Sequence, residues 1–221
     1  MKSTITLLLV LLGLQSTAQM NLTQLKAQLP VLKMPFDCPT DIPANNWGDE
    51  DLNVADFSYI KKDITSLYEA STYSSGENDR YFGLGYLSLG KATAIVYLWE
   101  NVSIYDGMYR YSIRMDTYDE KGEFVDHAIL YMNTWESLHD LDPNYEGDPE
   151  NYNETIHGSL YTSKNAIYLK RNSEESVTRL IEITNGDEYD TENLELTRSV
   201  HFDLLEVLPS GKIQLMYNED E

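Results

Sequence analysis

The chain has 221 residues, one cysteine and a formal net charge of -21, from 16 Lys and Arg against 37 Asp and Glu. A polyanion of this strength is repelled by nucleic-acid phosphates and anionic lipid, which argues against nucleic-acid binding and electrostatic membrane docking. The hydrophobic fraction of 42% is enough for a packed core, which argues against wholesale disorder.

Residues 1–18 read as a secretory signal peptide: Lys2 is the positive start, Ile5 to Leu14 is apolar, and Ser16-Thr17-Ala18 offers small residues for cleavage. The apolar run is about ten residues, half of what a membrane-spanning helix needs. No cysteine follows directly to carry a lipid. The expectation is a secreted or periplasmic protein with no membrane insertion. Cys38 is alone, so no intrachain disulfide forms, and a free thiol or an intermolecular bridge stays open.

Residues 19–79 read as an N-terminal helical and irregular extension. Asn21 is placed to cap a short helix over 20–29, with Leu22, Leu25 and Leu29 at helical spacing and Pro30 as the stop. Pro30, Pro35, Pro39 and Pro43 then break regular structure. Phe57, Ile60, Ile64, Leu67 and Tyr68 recur near 3.6 residues and predict a second helix over 54–69.

Residues 80–221 read as an antiparallel β domain. Tyr109, Tyr111, Ile113 and Met115 alternate with Arg110, Ser112, Arg114 and Asp116, the pattern of a half-buried strand. Similar alternation predicts nine strands: 80–89, 92–100, 108–118, 123–133, 155–162, 165–171, 176–184, 198–207 and 212–217. Turns carrying Gly90, Gly122 and Gly211 join several of them in hairpins, with glycine where a positive φ is expected. The apolar residues of 92–100 lie on both faces, so this strand is expected to be central or covered on both sides. The fold class is mainly β: an antiparallel meander forming a barrel or sandwich, because such strands need their edges hidden, with one or two short helices packed outside.

Chemistry is sparsely marked. His127, His139, His157 and His201 lack metal-ligand spacing, and His127 and His157 read as solvent-facing strand residues. Gly83 and Gly85 share a strand face and are expected to make room for a bulky ring from a neighbouring strand. In the acidic loop after the fourth strand, Asp142, Asn144 and Glu146 alternate before Gly147, as oxygen ligands do around calcium, and Glu150 can add another. Pro149 and Asn153 depart from the helical calcium-loop pattern. Trp135 and Tyr145, in or near that loop, are candidate contacts for a ligand. Tyr97 and Trp99 share a face with Ile95 and read as core more readily than as a stacking platform.

The signal ending in Ala-Gln, the hairpin from Thr117 to Asp126 (TYDEKGEFVD) and the strand from Tyr81 to Leu89 (YFGLGYLSL) resemble secreted or periplasmic β-rich proteins of Bacteroidetes. The resemblance covers residues 80–132 and rests on turns and strands. It implies export in a Gram-negative bacterium and brings no catalytic residues with it.

The functional expectation is an exported, non-enzymatic binding protein. Its partner would be a protein or glycan held at the loop end that bears Trp135 and Tyr145. The alternatives are an extracellular hydrolase using paired carboxylates and a calcium-stabilised structural module. No other cofactor is expected.

Overall fold

A computed structural model of the chain describes residues 21–42, 46–47, 57–68, 79–102, 108–137, 150–185 and 188–220. The expected signal peptide lies outside them. Helix α1 spans Leu22–Gln28, and the Asn21 side chain accepts from the Gln24 N–H at 3.0 Å, as the capping pattern requires. Strands β1 (Phe36–Asp37), β2 (Asn46–Trp47) and β3 (Lys62–Asp63) are two residues each.

The second helix is far shorter than its periodicity suggests. Among the described residues of 54–69, which are 57–68, only α2, Thr65–Tyr68, is helical, because Lys61 N and Ile64 N are drawn off to the carbonyls of Gly83 and Tyr81. The Asp63 carboxylate then accepts from Thr65 N at 2.9 Å and starts the turn.

Eight long strands follow: β4 Asp79–Leu89, β5 Ala92–Val102, β6 Met108–Tyr118, β7 Phe124–Ser137, β8 Glu150–Ser163, β9 Ala166–Asn185, β10 Glu188–Val207 and β11 Ile213–Asp220. They form an antiparallel meander in the order β11-β10-β9-β8-β7-β6-β5-β4-β3, with β1 beside β8 and β2 beside β6. The mainly β meander is thus as read from the sequence, and the sheet is open, not a closed barrel. Gly90, Gly122 and Gly211 all have the positive φ their turns need.

The strands differ from the nine expected in two ways: the two-residue β1, β2 and β3 lie in the N-terminal extension, where none was expected, and two of the nine are joined. The expected strands 165–171 and 176–184 are a single strand, β9, because the polar run Asn172 to Glu175 stays in register between β8 and β10. Likewise β7 and β8 run on through Trp135 and Asn153, so part of the expected long loop is paired strand.

The sheet is rolled. At ~4.8 Å per strand a flat sheet would hold β6 and β11 about 24 Å apart. Instead Thr117 Oγ1 donates to the Gly211 carbonyl at 2.7 Å, and Ile213 N donates to the Asp126 carboxylate at 3.0 Å. The β10–β11 turn therefore folds back onto β6 and β7. A half-open cavity of about 320 Å³ lies beside this seam, lined by Leu89, Ile167, Val207 and Pro209 among others.

Two cores result. Inside the roll, Phe82, Leu84, Val96, Leu98, Ile113, Met115, Leu130, Leu160 and Leu169 pack together. Outside it, Ile95, Tyr97, Tyr81 and Tyr118 meet Leu25 and Leu29 of the α1 region and Ile64 and Tyr68 at α2. Strand β5 is therefore covered on both sides, as its double apolar face indicates, and Tyr97 is core. Gly83 and Gly85 make room not for a ring but for leucines: a Cβ on Gly83 would lie 2.3 Å from Leu29 Cδ2, and one on Gly85 2.7 Å from Leu32 Cδ1.

The two edges of the sheet differ. The β4 edge is covered by β3 and by residues 30–32, where Tyr86 N donates to Pro30 O and Leu32 N to Tyr86 O. The other edge strand, β11, has no strand on its outer side among the described residues. No helix among these residues is long and apolar enough to cross a membrane.

Candidate functional site

The loop expected to carry the site is only partly described. Tyr145, Asp142, Asn144 and Glu146 lie outside the described residues. The Trp135 backbone sits in β7 opposite Asn153, and Glu150 opens β8 opposite Arg179. Among the described residues, no group of three or more His, Cys, Asp or Glu is gathered to hold a metal ion. His127 is exposed, as expected. His157 is only half-buried and turns its ring edge-on to Tyr131, with centroids 6.3 Å apart.

One buried group of polar side chains is hidden from the sequence pattern. Asp116 was expected on the solvent face of β6, yet α2 covers it. One oxygen, Oδ2, accepts from the hydroxyls of Tyr68 and Tyr97, the latter at 3.1 Å, and Tyr118 divides its single proton between this oxygen at 3.3 Å and the Tyr68 hydroxyl at 2.8 Å. The Tyr68 ring stacks on Tyr81 at 4.6 Å and tilts against Tyr97 at 4.7 Å. Burial pushes the Asp116 carboxyl above its usual range, while the three phenols and nearby His127 pull it back. The phenols of Tyr68 and Tyr97 are held well above theirs, first by burial and then by neighbouring tyrosine or the Asp116 carboxylate. With Tyr68 fully buried and Asp116 only 7% exposed, this cluster fastens α2 to the sheet and offers no entry to a substrate.

A second buried carboxylate, Glu100, is 3.1 Å from the Arg80 guanidinium. Burial raises its pKa and Arg80 opposes the rise. Neither Glu100 nor Asp116 lines the cavity at the seam, so these two acids do not form a pair flanking it. Cys38 is buried too. Burial, reinforced by Asp37, pushes its thiol up to about 12, so it is protonated and shielded from a bridge to another chain.

Among the described residues, exposed apolar side chains concentrate on β10 and β11. Six large hydrophobic side chains are exposed among the described residues, and four of them, Val200, Leu215, Met216 and Tyr217, are on these two strands. Leu215, Met216 and Tyr217 are consecutive and 54%, 51% and 49% exposed. A register shift in β10–β11 at Leu204/Leu205 makes Met216 the extra residue, so the edge strand carries apolar groups on both sides. On the outer face Tyr217 lies opposite Leu204, and its ring tilts toward Phe202 with centroids 6.1 Å apart. The Lys170 ammonium is 5.4 Å from the Phe202 ring centre, and Tyr161 stacks on Tyr168 nearby. Sequence reasoning missed this surface because β11 looks like any half-buried strand until its neighbours are known. The adjacency of Leu215, Met216 and Tyr217, three apolar residues without alternation, is the signal that was there to find.

Compared with known proteins, the chain matches no family model, no curated protein and no solved structure.

Proposed function

We propose that the chain is an exported, non-enzymatic binding protein that holds a protein partner against the edge strand β11 and the adjoining outer face of β10. The observation that carries this reading is the concentration of exposed apolar side chains at Val200, Leu215, Met216 and Tyr217, on the edge of an otherwise well-packed sheet. Exposed apolar surface that is clustered, not scattered, marks interaction sites. Aromatic and methionine side chains are also enriched at the centres of protein interfaces.

A glycan partner is less well served. Sugar stacking needs ring faces turned to solvent, whereas Tyr161 and Tyr168 stack on each other at 25° and Phe202 offers a face to Lys170.

The test is a photo-crosslinking residue placed at Met216, with the equally exposed Phe124 as the control position. Expressed in the native host, the Met216 probe should give one discrete crosslinked protein that the Phe124 probe does not. Identical crosslinking patterns at the two positions, or none at Met216, would defeat the proposal.

A further inference from the structure

We infer that the partner of β10–β11 is a cationic amphipathic polypeptide segment and not a second copy of this chain, an inference that rests on the reading of these strands as the binding surface. Charge supplies the argument. On the outer face of β10 and β11 the carboxylates of Glu206 and Glu219 stand among the exposed apolar groups, and the chain as a whole carries 37 acidic residues against 16 basic ones. A second copy would bring the same two carboxylates and the same net charge of -21 to this face, and like charges in opposition cost binding energy.

The carboxylates lie among the apolar groups. On the outer face the register sets Glu206 beside Gln214, Leu204 beside Tyr217 and Phe202 beside Glu219. The Tyr217 hydroxyl donates to the Glu219 carboxylate, which pushes the phenol pKa up. Apolar and anionic groups thus alternate across the face, and the complementary surface alternates apolar groups with lysine or arginine. The face already accepts one cation from within, since the Lys170 ammonium sits against the Phe202 ring.

Backbone pairing contributes little to this contact. The bulge at Met216 interrupts the outer line of peptide groups, and the N–H of Ile213, the first residue of β11, is already taken by Asp126. Side chains must therefore carry the recognition, and side-chain chemistry decides the partner.

The test uses three fluorescent peptides of equal length: alternating lysine and leucine, alternating glutamate and leucine, and alternating lysine and serine. Binding to the purified chain is measured by anisotropy at low and physiological salt. The lysine–leucine peptide should bind at least about tenfold more tightly than either of the others. Leu215→Ser with Tyr217→Ser should weaken it by about tenfold or more, as loss of central apolar contacts does. Glu206→Gln with Glu219→Gln should weaken it and flatten its salt dependence. All four positions are at or near the surface, and circular dichroism confirms that the variants fold.

Equal binding of the lysine–leucine peptide to wild type and both variants would mean attraction to the polyanion at large and would overturn the inference. So would equal binding of the glutamate–leucine peptide. Sedimentation of the chain alone separates the remaining outcomes. A dimer abolished by Leu215→Ser with Tyr217→Ser would keep β10–β11 as an interface and overturn the cationic partner. A monomer that binds none of the peptides would remove both readings.

Discussion

Tyr68 in α2 and Asp116 in β6 stand 48 residues apart in sequence and share a buried hydrogen bond from phenol to carboxylate. Through it a helix of one turn, too short to be stable alone, is anchored to the middle of the sheet. Tyr97 and Tyr118 complete the cluster, so the carboxylate has three donors and the two phenols beside it have a common acceptor.

Tyr68→Phe keeps the ring stack on Tyr81 and removes the hydroxyl that serves both Asp116 and Tyr118. Urea unfolding should show a loss of about 1–2 kcal/mol. Asp116→Ala should cost more, about 3 kcal/mol, because buried phenols then lose their shared acceptor. Limited proteolysis within residues 57–68 should quicken in both variants. If Asp116→Ala proves no worse than Tyr68→Phe, the carboxylate is not the anchor.

Two buried aspartates should respond to pH with opposite signs. The Asp116 pKa is raised in the fold, so the stability it contributes is present below its unfolded pKa, about 3.9, and is lost as pH rises through the folded value. Asp203 behaves in the reverse way. Burial alone would raise it, but the Arg171 guanidinium and the Asn218 amide outweigh burial and leave it lowered. Its contribution is present above the unfolded pKa and is lost as pH falls through the folded one. Relative to wild type, Asp116→Asn should therefore gain stability as pH goes from about 4 to 7, while Asp203→Asn should lose it lower down, as pH rises from about 2 to 5 through the window between its lowered folded pKa and the unfolded one. Denaturation from about pH 2 to 7 checks both, and parallel curves for the two variants would contradict the assignment.

Much of the fold was legible because strand alternation is local. The double apolar face of 92–100 identified β5 as covered on both sides, and Leu22, Leu25 and Leu29 located α1. The polar stretch Asn172 to Glu175 read as a break since nothing in its own sequence shows that β8 and β10 flank it. The reversal into β9 was located within a residue or so, between the expected strands 155–162 and 165–171, although it is made by Lys164 and Asn165, both with positive φ and neither a glycine. Asp116 illustrates the same limit at the level of a site. On a strand with Arg110, Ser112 and Arg114 it reads as solvated, and only the arrival of α2 buries it.

Cys38 should be inert while the chain is folded. The thiol is 4% exposed and its pKa is pushed up to about 12, so almost no thiolate exists at pH 8. Iodoacetamide should leave the native chain unmodified over hours and label it within minutes in urea. Rapid labelling without urea would mean that the segment around β1 opens readily from β8.

Glycine substitutions should rank by what an added methyl group meets. At Gly158 a Cβ would lie 2.8 Å from the Leu130 carbonyl oxygen and 3.3 Å from Leu130 Cα, so the backbone of β7 itself must move. At Gly83 the nearer obstacle, at 2.3 Å, is the end of the Leu29 side chain, which can turn aside by changing rotamer. Gly158→Ala should therefore cost about 2–3 kcal/mol and Gly83→Ala about 1 kcal/mol, despite the closer contact at Gly83. Urea midpoints of the two variants give the comparison. The reverse order would mean that Leu29 is the more rigid neighbour and that the α1 region is held to β4 as firmly as β7 is to β8.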